Sequence, residues 1–329
     1  MILNRNPGRP TPAASGRLRR AIAVGVLALL GGCGGGTSAY QAYVPTRMYS
    51  FGDENSAFTV DGLKYSINGF STATDGSGLK VLDCTVQPIW VQSLASAFGL
   101  TFAQCNPGHV PSPQAVSYAF AGAEASDIAA QIDARIAAGG FQPGDLVTVL
   151  AGGNDVVDLY KQYPARTEAD LENELGARGK ALALQVNRLV GFGAKVIVST
   201  VPDMGLTPYA FQQKVEFSDT DRAALLSRLT AAFNLQLGVN IILDGRYVGL
   251  VQLDQQTQAM VRSPGSFGLT DVTDAACLPA SPPPGCNTQT LVTNGSATSW
   301  MWADGLRPAY SVQSQLATLA INRARQNPF

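Results

Sequence analysis

The stretch Met48-Tyr-Ser-Phe-Gly-Asp53-Glu54-Asn-Ser56 decides how the chain is organised. Its first four residues predict a short buried strand, and Gly52 predicts a sharp turn directly after it. The turn places Asp53 and Glu54 at the carboxyl end of the strand. Because open α/β sheets build their sites at that end, we predict that these two carboxylates belong to a site.

Outward from this stretch, apolar strands alternate with long helices. The runs 145–150 and 195–200 are mostly apolar and predict strands buried on both faces, as parallel sheets require. Long helices are predicted from the capping box Thr167-x-x-Asp170 to about Val190, and from Ser218 to about Leu237. This alternation predicts an α/β fold of three layers, α/β/α, around a mostly parallel sheet.

The remaining elements complete one predicted domain over 44–329. Insertions are expected at about 56–88, as an irregular hairpin, and at about 271–298. The other expected elements are helices at 89–98, 126–138, 156–163 and 312–325, strands at 116–120, 241–243 and 249–253, and a loop at 201–208.

The first 32 residues have the features of a targeting segment. Arginines precede an apolar run, 21–30, that is too short to span a membrane. Leu30-Gly-Gly-Cys33 resembles a bacterial lipobox, which implies cleavage before Cys33 and lipidation of its thiol. Gly34 in place of Asp favours the outer membrane, and 33–43 is predicted to be a flexible tether. A plain secretory leader is the alternative.

Charge limits the classes of partner. The leader contains five of the 23 Lys and Arg residues and no acidic residue, so the mature chain has 18 basic against 24 acidic residues, a net charge of −6. No basic patch stands out, so nucleic acid is not an expected partner.

Four cysteines follow Cys33, and an even number in an exported chain predicts disulfides. Three pairings are open, of which proximity in sequence favours Cys84–Cys105 and Cys277–Cys286. A zinc site is the alternative, but the sequence has no C-x-x-C pair and a single histidine. No metal or cofactor is therefore predicted.

Several motifs together resemble those of the SGNH (GDSL) ester hydrolases, whose first block is Phe-Gly-Asp-Ser-Leu. Gly52-Asp53 matches that block, and Gly122 matches the glycine whose backbone N–H enters the oxyanion hole. Gly153-Asn154-Asp155 matches the block whose asparagine amide is a further donor. The loop 201–208 and Asp304-Gly-Leu-Arg307-Pro308 match later segments, the second being Asp-x-x-His-Pro in the family. The resemblance implies an SGNH, flavodoxin-like fold.

Two departures from the family lie at the reacting positions. Glu54 stands where the family has its nucleophilic serine, and Arg307 where it has its basic histidine. Arginine cannot accept a proton at useful pH, and a carboxylate would compete with an oxyanion for the donors of the hole. We therefore expect serine chemistry to be absent, and Glu54 and Arg307 to form an ion pair that Asp304 shares, with a bidentate fork.

Three other arrangements could retain a hydrolytic activity, and each is less favoured. Ser56 would be turned away from the donors, and His109 is predicted to be an exposed loop residue. Glu54 and Asp304 could act as an acid and a base, but Arg307 would hold both ionised.

The sequence thus favours an envelope lipoprotein whose hydrolase chemistry is lost and whose cleft binds an acyl-ester or glycan ligand. An active carboxylic ester hydrolase with non-standard residues is the alternative. Trp300, Trp302 and Met204 could line the cleft, although ordinary core packing is the simpler reading. The sequence indicates no particular protein partner.

Overall fold

The structure is a computed structural model, and it describes residue 8 and residues 42–74 and 76–326. Apart from Gly8, the predicted leader lies outside these residues, as do the lipidation site Cys33 and most of the tether. At the start of the described domain the Tyr43 hydroxyl donates to the Gly144 carbonyl at 2.9 Å, and its ring meets that of Phe98 edge-on. Tyr43, expected in the tether, therefore packs on the domain.

Strands and helices follow one another along the described chain. The strands are β1 (Met48–Gly52), β2 (Gly69–Thr74), β3 (Lys80–Asp83), β4 (Ala115–Ser117), β5 (Leu146–Leu150), β6 (Lys195–Ser199), β7 (Val248–Val251), β8 (Asp271–Ala275) and β9 (Trp300–Trp302). The α-helices are α1 (Trp90–Ser96), α2 (Ile128–Ala137), α3 (Gly153–Tyr160), α4 (Glu168–Gly191), α5 (Pro208–Glu216), α6 (Arg222–Asn240), α7 (Leu253–Arg262) and α8 (Tyr310–Gln326).

The central sheet has five strands in the order β4-β1-β5-β6-β7, and every neighbouring pair is parallel. Numbered along the sheet-forming chain, this is the order 2-1-3-4-5, the flavodoxin-like arrangement. The order reverses between β1 and β5, which is where such sheets place their sites. The predicted fold class is confirmed.

Helices cover both faces of the sheet, so its strands are apolar on both sides. One face packs Phe51 and Val149 against α2, α3, α4 and α6 through side chains such as Leu182 and Phe233. The other packs Leu146 against α1, α7 and α8. All residues of β1 and β5 are buried. This double burial explains why mostly apolar runs identified the strands.

Two helices were not predicted, and a third begins later than expected. α5 starts at Pro208 inside the expected loop, with Thr207 as N-cap, because proline is tolerated in the first helical turn. α7 was missed because three of its residues are buried, too few for a clear helical pattern. α6 starts at Arg222 and is capped by Asp221, so Ser218 was the wrong choice within the run Ser-Asp-Thr-Asp.

The strand predictions need two corrections. Residues 241–243 are not a strand, because the chain there turns between α6 and β7 with Ile242 and Leu243 exposed. β4 ends at Ser117, three residues before the predicted end, although the backbone N–H groups of Tyr118 and Phe120 still donate to the carbonyls of Ser50 and Gly52 in β1.

Two disulfides crosslink the regions in which insertions are predicted, about 56–88 and 271–298. β2 and β3 form an antiparallel hairpin within 56–88. The disulfides are Cys84–Cys105 and Cys277–Cys286, with Cα–Cα distances of 5.8 and 5.9 Å. Both favoured pairings are confirmed. Within the described residues, no helix combines the length and the apolar character that crossing a bilayer would need.

Candidate active site

Three adjacent strands deliver the site residues to one edge of the sheet. β1 leads into a short 3₁₀ turn, Glu54–Ser56, whose N-cap is Asp53. β4 leads to Gly122, and β5 leads through Gly152 to α3, in whose first turn Asn154 lies. Gly152 has φ 121°, and a Cβ there would lie 2.5 Å from the Phe233 ring, so this tight entry into α3 requires glycine.

The Glu54 carboxylate occupies the position between the two expected oxyanion donors. Its Oε2 accepts from the backbone N–H of Gly122 at 3.0 Å and from the side-chain amide of Asn154 at 3.0 Å. The same amide group also donates to the Ala123 carbonyl at 3.0 Å, which fixes its orientation. The Glu54 side chain is 9% exposed. The donors of the hole are thus satisfied by the protein itself.

Arg307 connects this carboxylate to that of Asp304. Its Nε lies 3.5 Å from Glu54 Oε1, and its Nη1 lies 2.5 Å from Asp304 Oδ2. The Nε contact lacks hydrogen-bond geometry, so it is an electrostatic contact. The expected ion pair and its sharing by Asp304 are present, but the fork divides between two carboxylates and does not bind one of them bidentately.

The loop that carries Arg307 is itself held in place. Asp304 Oδ1 accepts from the backbone N–H groups of Leu306 and Arg307 at 2.9 and 2.7 Å. Ser66, in the first insertion, donates to the Pro308 carbonyl at 2.9 Å. The Arg307 guanidinium also lies 5.9 Å from the centre of the Tyr65 ring. Tyr65 and Ser66 belong to no recognisable motif, so these supports were not predictable from the sequence.

Little space remains at the site. The cavity there has a volume of about 20 Å³ and is lined by Asp53, Glu54, Asn55, Gly153, Asn154, Val157, Pro202, Met204, Leu306 and Arg307. This is close to the volume that one water needs. Met204 lines it as suggested, whereas Trp302 is fully buried in the core and its indole N–H donates to the Val272 carbonyl. Trp300 packs in a small cluster near Cys277.

Asp53 supports the turn that presents Glu54. Its Oδ1 accepts from the backbone and side-chain amides of Asn55 at 2.9 and 3.0 Å. Complete burial, together with the neighbouring Glu54 charge, raises the pKa of Asp53 well above its ordinary value. Gly153 lines the same cavity as Asp53.

Asp155 of α3 links the segment that follows Gly122 to helix α4. Its Oδ2 accepts from the Ala125 backbone N–H at 2.8 Å, and its Oδ1 contacts Arg178 Nη1 at 3.1 Å. Burial raises the pKa of Asp155. Arg178 also binds Glu124 at 3.0 Å. Sequence reasoning missed Arg178, whose one visible signal was its i,i+4 spacing from Glu174 on α4.

The Ser56 hydroxyl and the His109 imidazole were the two other groups considered for a hydrolytic activity. Ser56 is fully buried, and its Oγ accepts the indole N–H of Trp90 at 3.1 Å. His109 is an exposed residue of the loop before β4. Over residues 42–74 and 76–326, the His, Cys, Asp and Glu side chains form no group that could bind a metal ion.

Strand order, donor positions and the Asp304 loop together resemble those of the SGNH (GDSL) type of ester hydrolase, with glutamate and arginine at the two reacting positions. The family-model comparison finds no match. In sequence the chain is 31% identical over 204 residues to a phosphatidylcholine-sterol acyltransferase of Aeromonas hydrophila. That match covers 59% of this chain and 55% of the relative, so the chain spans about half of the relative's length.

Solved structures of low sequence identity also align with the chain. An acetylxylan esterase of Geobacillus stearothermophilus, Axe2, is 13% identical, with a TM-score of 0.41 over 86% of this chain and 96% of the esterase. A member of the lipolytic G-D-S-L family from Veillonella parvula is 11% identical, with a TM-score of 0.41 over 84% and 96%.

Proposed function

We propose that this protein is a non-hydrolytic relative of the SGNH esterases, attached to the outer membrane through a lipid on Cys33. The observation that carries the proposal is the position of the Glu54 carboxylate, which accepts hydrogen bonds from both the Gly122 N–H and the Asn154 amide. An oxyanion hole works by offering such donors to the charge that develops in the transition state. Here the Glu54 side chain already occupies them.

The replacement of the base supports the same conclusion. A guanidinium cannot take a proton from a nucleophile in any useful pH range. Arg307 is moreover engaged with Glu54 and Asp304. Removing one member of a catalytic serine–histidine pair typically costs about as much as removing the whole unit, on the order of 10⁶ in turnover.

The size of the cavity limits what the protein can bind. A volume of about 20 Å³ at Glu54 leaves no room for an acyl group. We propose that an acyl-ester or glycan ligand contacts the outside of this cavity, where Leu306 lines it and the Tyr65 ring lies beside Arg307.

An active carboxylic ester hydrolase with non-standard residues is the second candidate. The observation in its favour is the sequence similarity to a protein named as an acyltransferase. In that case Glu54 or another group would have to act on an ester directly.

Ester hydrolysis separates the two candidates. The wild type should release nitrophenol from p-nitrophenyl acetate no faster than buffer does. Glu54→Ser/Arg307→His should gain activity because Asp304 is already placed to orient a base at position 307, and Glu54→Ser/Arg307→Met is the matched control without a base. Wild-type turnover that Glu54→Gln abolishes would refute the non-hydrolytic proposal.

Attachment to the membrane is tested separately. Cys33→Ser should move the protein from the membrane fraction to the soluble periplasmic fraction or leave it unprocessed. An unchanged mass and unchanged fractionation would contradict lipidation.

A further inference from the structure

Helix α6 presents an uncharged face to solvent in its second half. From Leu229 to Leu243 the sequence contains no Asp, Glu, Lys or Arg. One side of this stretch is buried in the core, but the other exposes Leu235 at 60% and Val239 at 65%. A helix with large apolar side chains on a second side, away from the core, is normally covered on that side as well. The exposed side of α6 is therefore a surface without its partner within the described chain.

This surface continues beyond the helix. Ile242 and Leu243 directly after α6 are 67% and 58% exposed. Asn187 of α4 binds both the Asn240 carbonyl and the Ile242 N–H, which holds this segment against α4. We call the surface the α6 face; it consists of Ala231, Leu235, Gly238, Val239, Ile242 and Leu243. Contiguous apolar patches of this kind mark interaction sites.

We propose that the α6 face is where two copies of the chain pair about a twofold axis. A twofold interface requires a patch that is complementary to itself. On the α6 face the large side chains of Leu235 and Val239 lie beside the small residues Ala231 and Gly238. The large side chains of one copy can therefore pack over the small residues of the other. A groove of about 700 Å³ along the face, also lined by Leu250, provides room for the partner's side chains.

The charges at the two ends of the face favour an antiparallel pairing of the two α6 helices. At the amino end lie Glu168, Glu172, Asp254 and Arg228, an excess of acid, with Arg228 paired to Glu168. At the carboxyl end lie Arg246, Lys195 and Asp244, an excess of base. Since a twofold axis across the middle of α6 brings each end beside the opposite end of the partner, unlike charges meet at both rims.

A lipid surface fits the same face less well. Helices that lie on membranes combine aromatic anchors with a face rich in Lys and Arg. The α6 face has no aromatic residue, and the mature sequence carries a net charge of −6, which anionic headgroups repel. Two net-negative copies can meet through this face because no charge lies on it.

Sedimentation velocity of the purified full chain in a non-ionic detergent tests the proposal. The wild type should sediment as a dimer at about 10 μM, and Leu235→Glu should raise the dissociation constant at least about 100-fold because a charge is buried at the centre of the interface. Val215→Glu is the matched control, since Val215 is an 88% exposed apolar residue on α5 outside the face. Unchanged circular dichroism shows that each variant is folded.

A charge exchange provides the second arm. Glu172→Arg should weaken the dimer, and Glu172→Arg/Arg246→Glu should restore it, because the two residues belong to opposite ends that face each other only across the axis. A monomeric wild type at about 100 μM overturns the proposal, as does a dimer that Leu235→Glu leaves intact. A monomer that binds phosphatidylcholine vesicles through Leu235 also overturns it and assigns the face to lipid.

Discussion

Replacing Arg307 by methionine removes the cation that two carboxylates share. Coulomb's law with an effective dielectric constant of about 20 gives roughly 5 kcal/mol of gross attraction across the 3.5 Å between Arg307 Nε and Glu54 Oε1. Desolvation and side-chain entropy offset most of this, and the Arg307 side chain is 27% exposed. We expect Arg307→Met to lower the free energy of unfolding by about 2–3 kcal/mol.

Removing the opposing charge as well should recover part of that loss. In Glu54→Gln the amide oxygen can still accept from Gly122 and Asn154, so the double variant Glu54→Gln/Arg307→Met should be more stable than Arg307→Met alone. Asp304 loses its partner in both variants containing Arg307→Met, so its contribution cancels in the double-mutant cycle. The remaining coupling between Glu54 and Arg307 should be about 1–2 kcal/mol.

Urea denaturation of the four proteins at pH 7, with the disulfides intact, measures this coupling. Comparing midpoints at a common m value avoids the error of extrapolation to water. A coupling energy below about 0.5 kcal/mol, which is the limit of ordinary additivity, would show that the two residues are neighbours without a mutual stabilising interaction.

Three further predictions follow from the disulfides and the buried charged groups. Cys84→Ala/Cys105→Ala should lower the free energy of unfolding by about 2–4 kcal/mol, because a 21-residue separation is no longer closed in the unfolded chain; equal urea midpoints would contradict this. Because the pKa of Asp53 is raised in the folded protein, the free energy of unfolding falls as the pH rises from about 3.8 through that folded pKa. Asp53→Asn should therefore be more stable than the wild type at pH 8 and should lose that advantage near pH 4. Thermal unfolding at the two pH values measures the difference. Burial lowers the pKa of Lys64 to about 8, so between about pH 8 and 10.5 the unfolded chain binds more protons than the folded protein. The free energy of unfolding of the wild type should therefore increase with pH in this range. Urea titrations at each pH should show that Lys64→Met removes this increase.

The sequence predicted the parts of the fold that repeat one pattern over many residues. β5 and β6 were found because both of their faces are buried, and α4 because Thr167 caps it and its apolar spacing is long. Short elements failed: α7 buries too few residues to show a period, and the start of α6 was ambiguous among several residues that can all cap a helix.

The candidate site likewise contains features that the sequence predicted and features that it did not. Topology alone brings the ends of β1, β4 and β5 together, so the neighbourhood of Glu54, Gly122 and Asn154 followed from the strand pattern and the family resemblance. The strand pattern did not predict the ion pair between Asp155 and Arg178, because this pair joins the start of one helix to a residue on another helix. The filling of the space between the donors by the Glu54 carboxylate was expected, because Glu54 stands at the nucleophile position of the family that the motifs resemble.

The shared contact of Arg307 has a consequence for evolution. A single substitution of Glu54 by serine leaves Arg307 without one of its anions and supplies no base, and a single substitution of Arg307 by histidine leaves the carboxylate in the oxyanion hole. Each step alone disturbs the buried charges without creating serine–histidine chemistry. A lineage can therefore reach that chemistry from this sequence only by crossing an intermediate that has lost the ion pair and gained no catalysis in exchange.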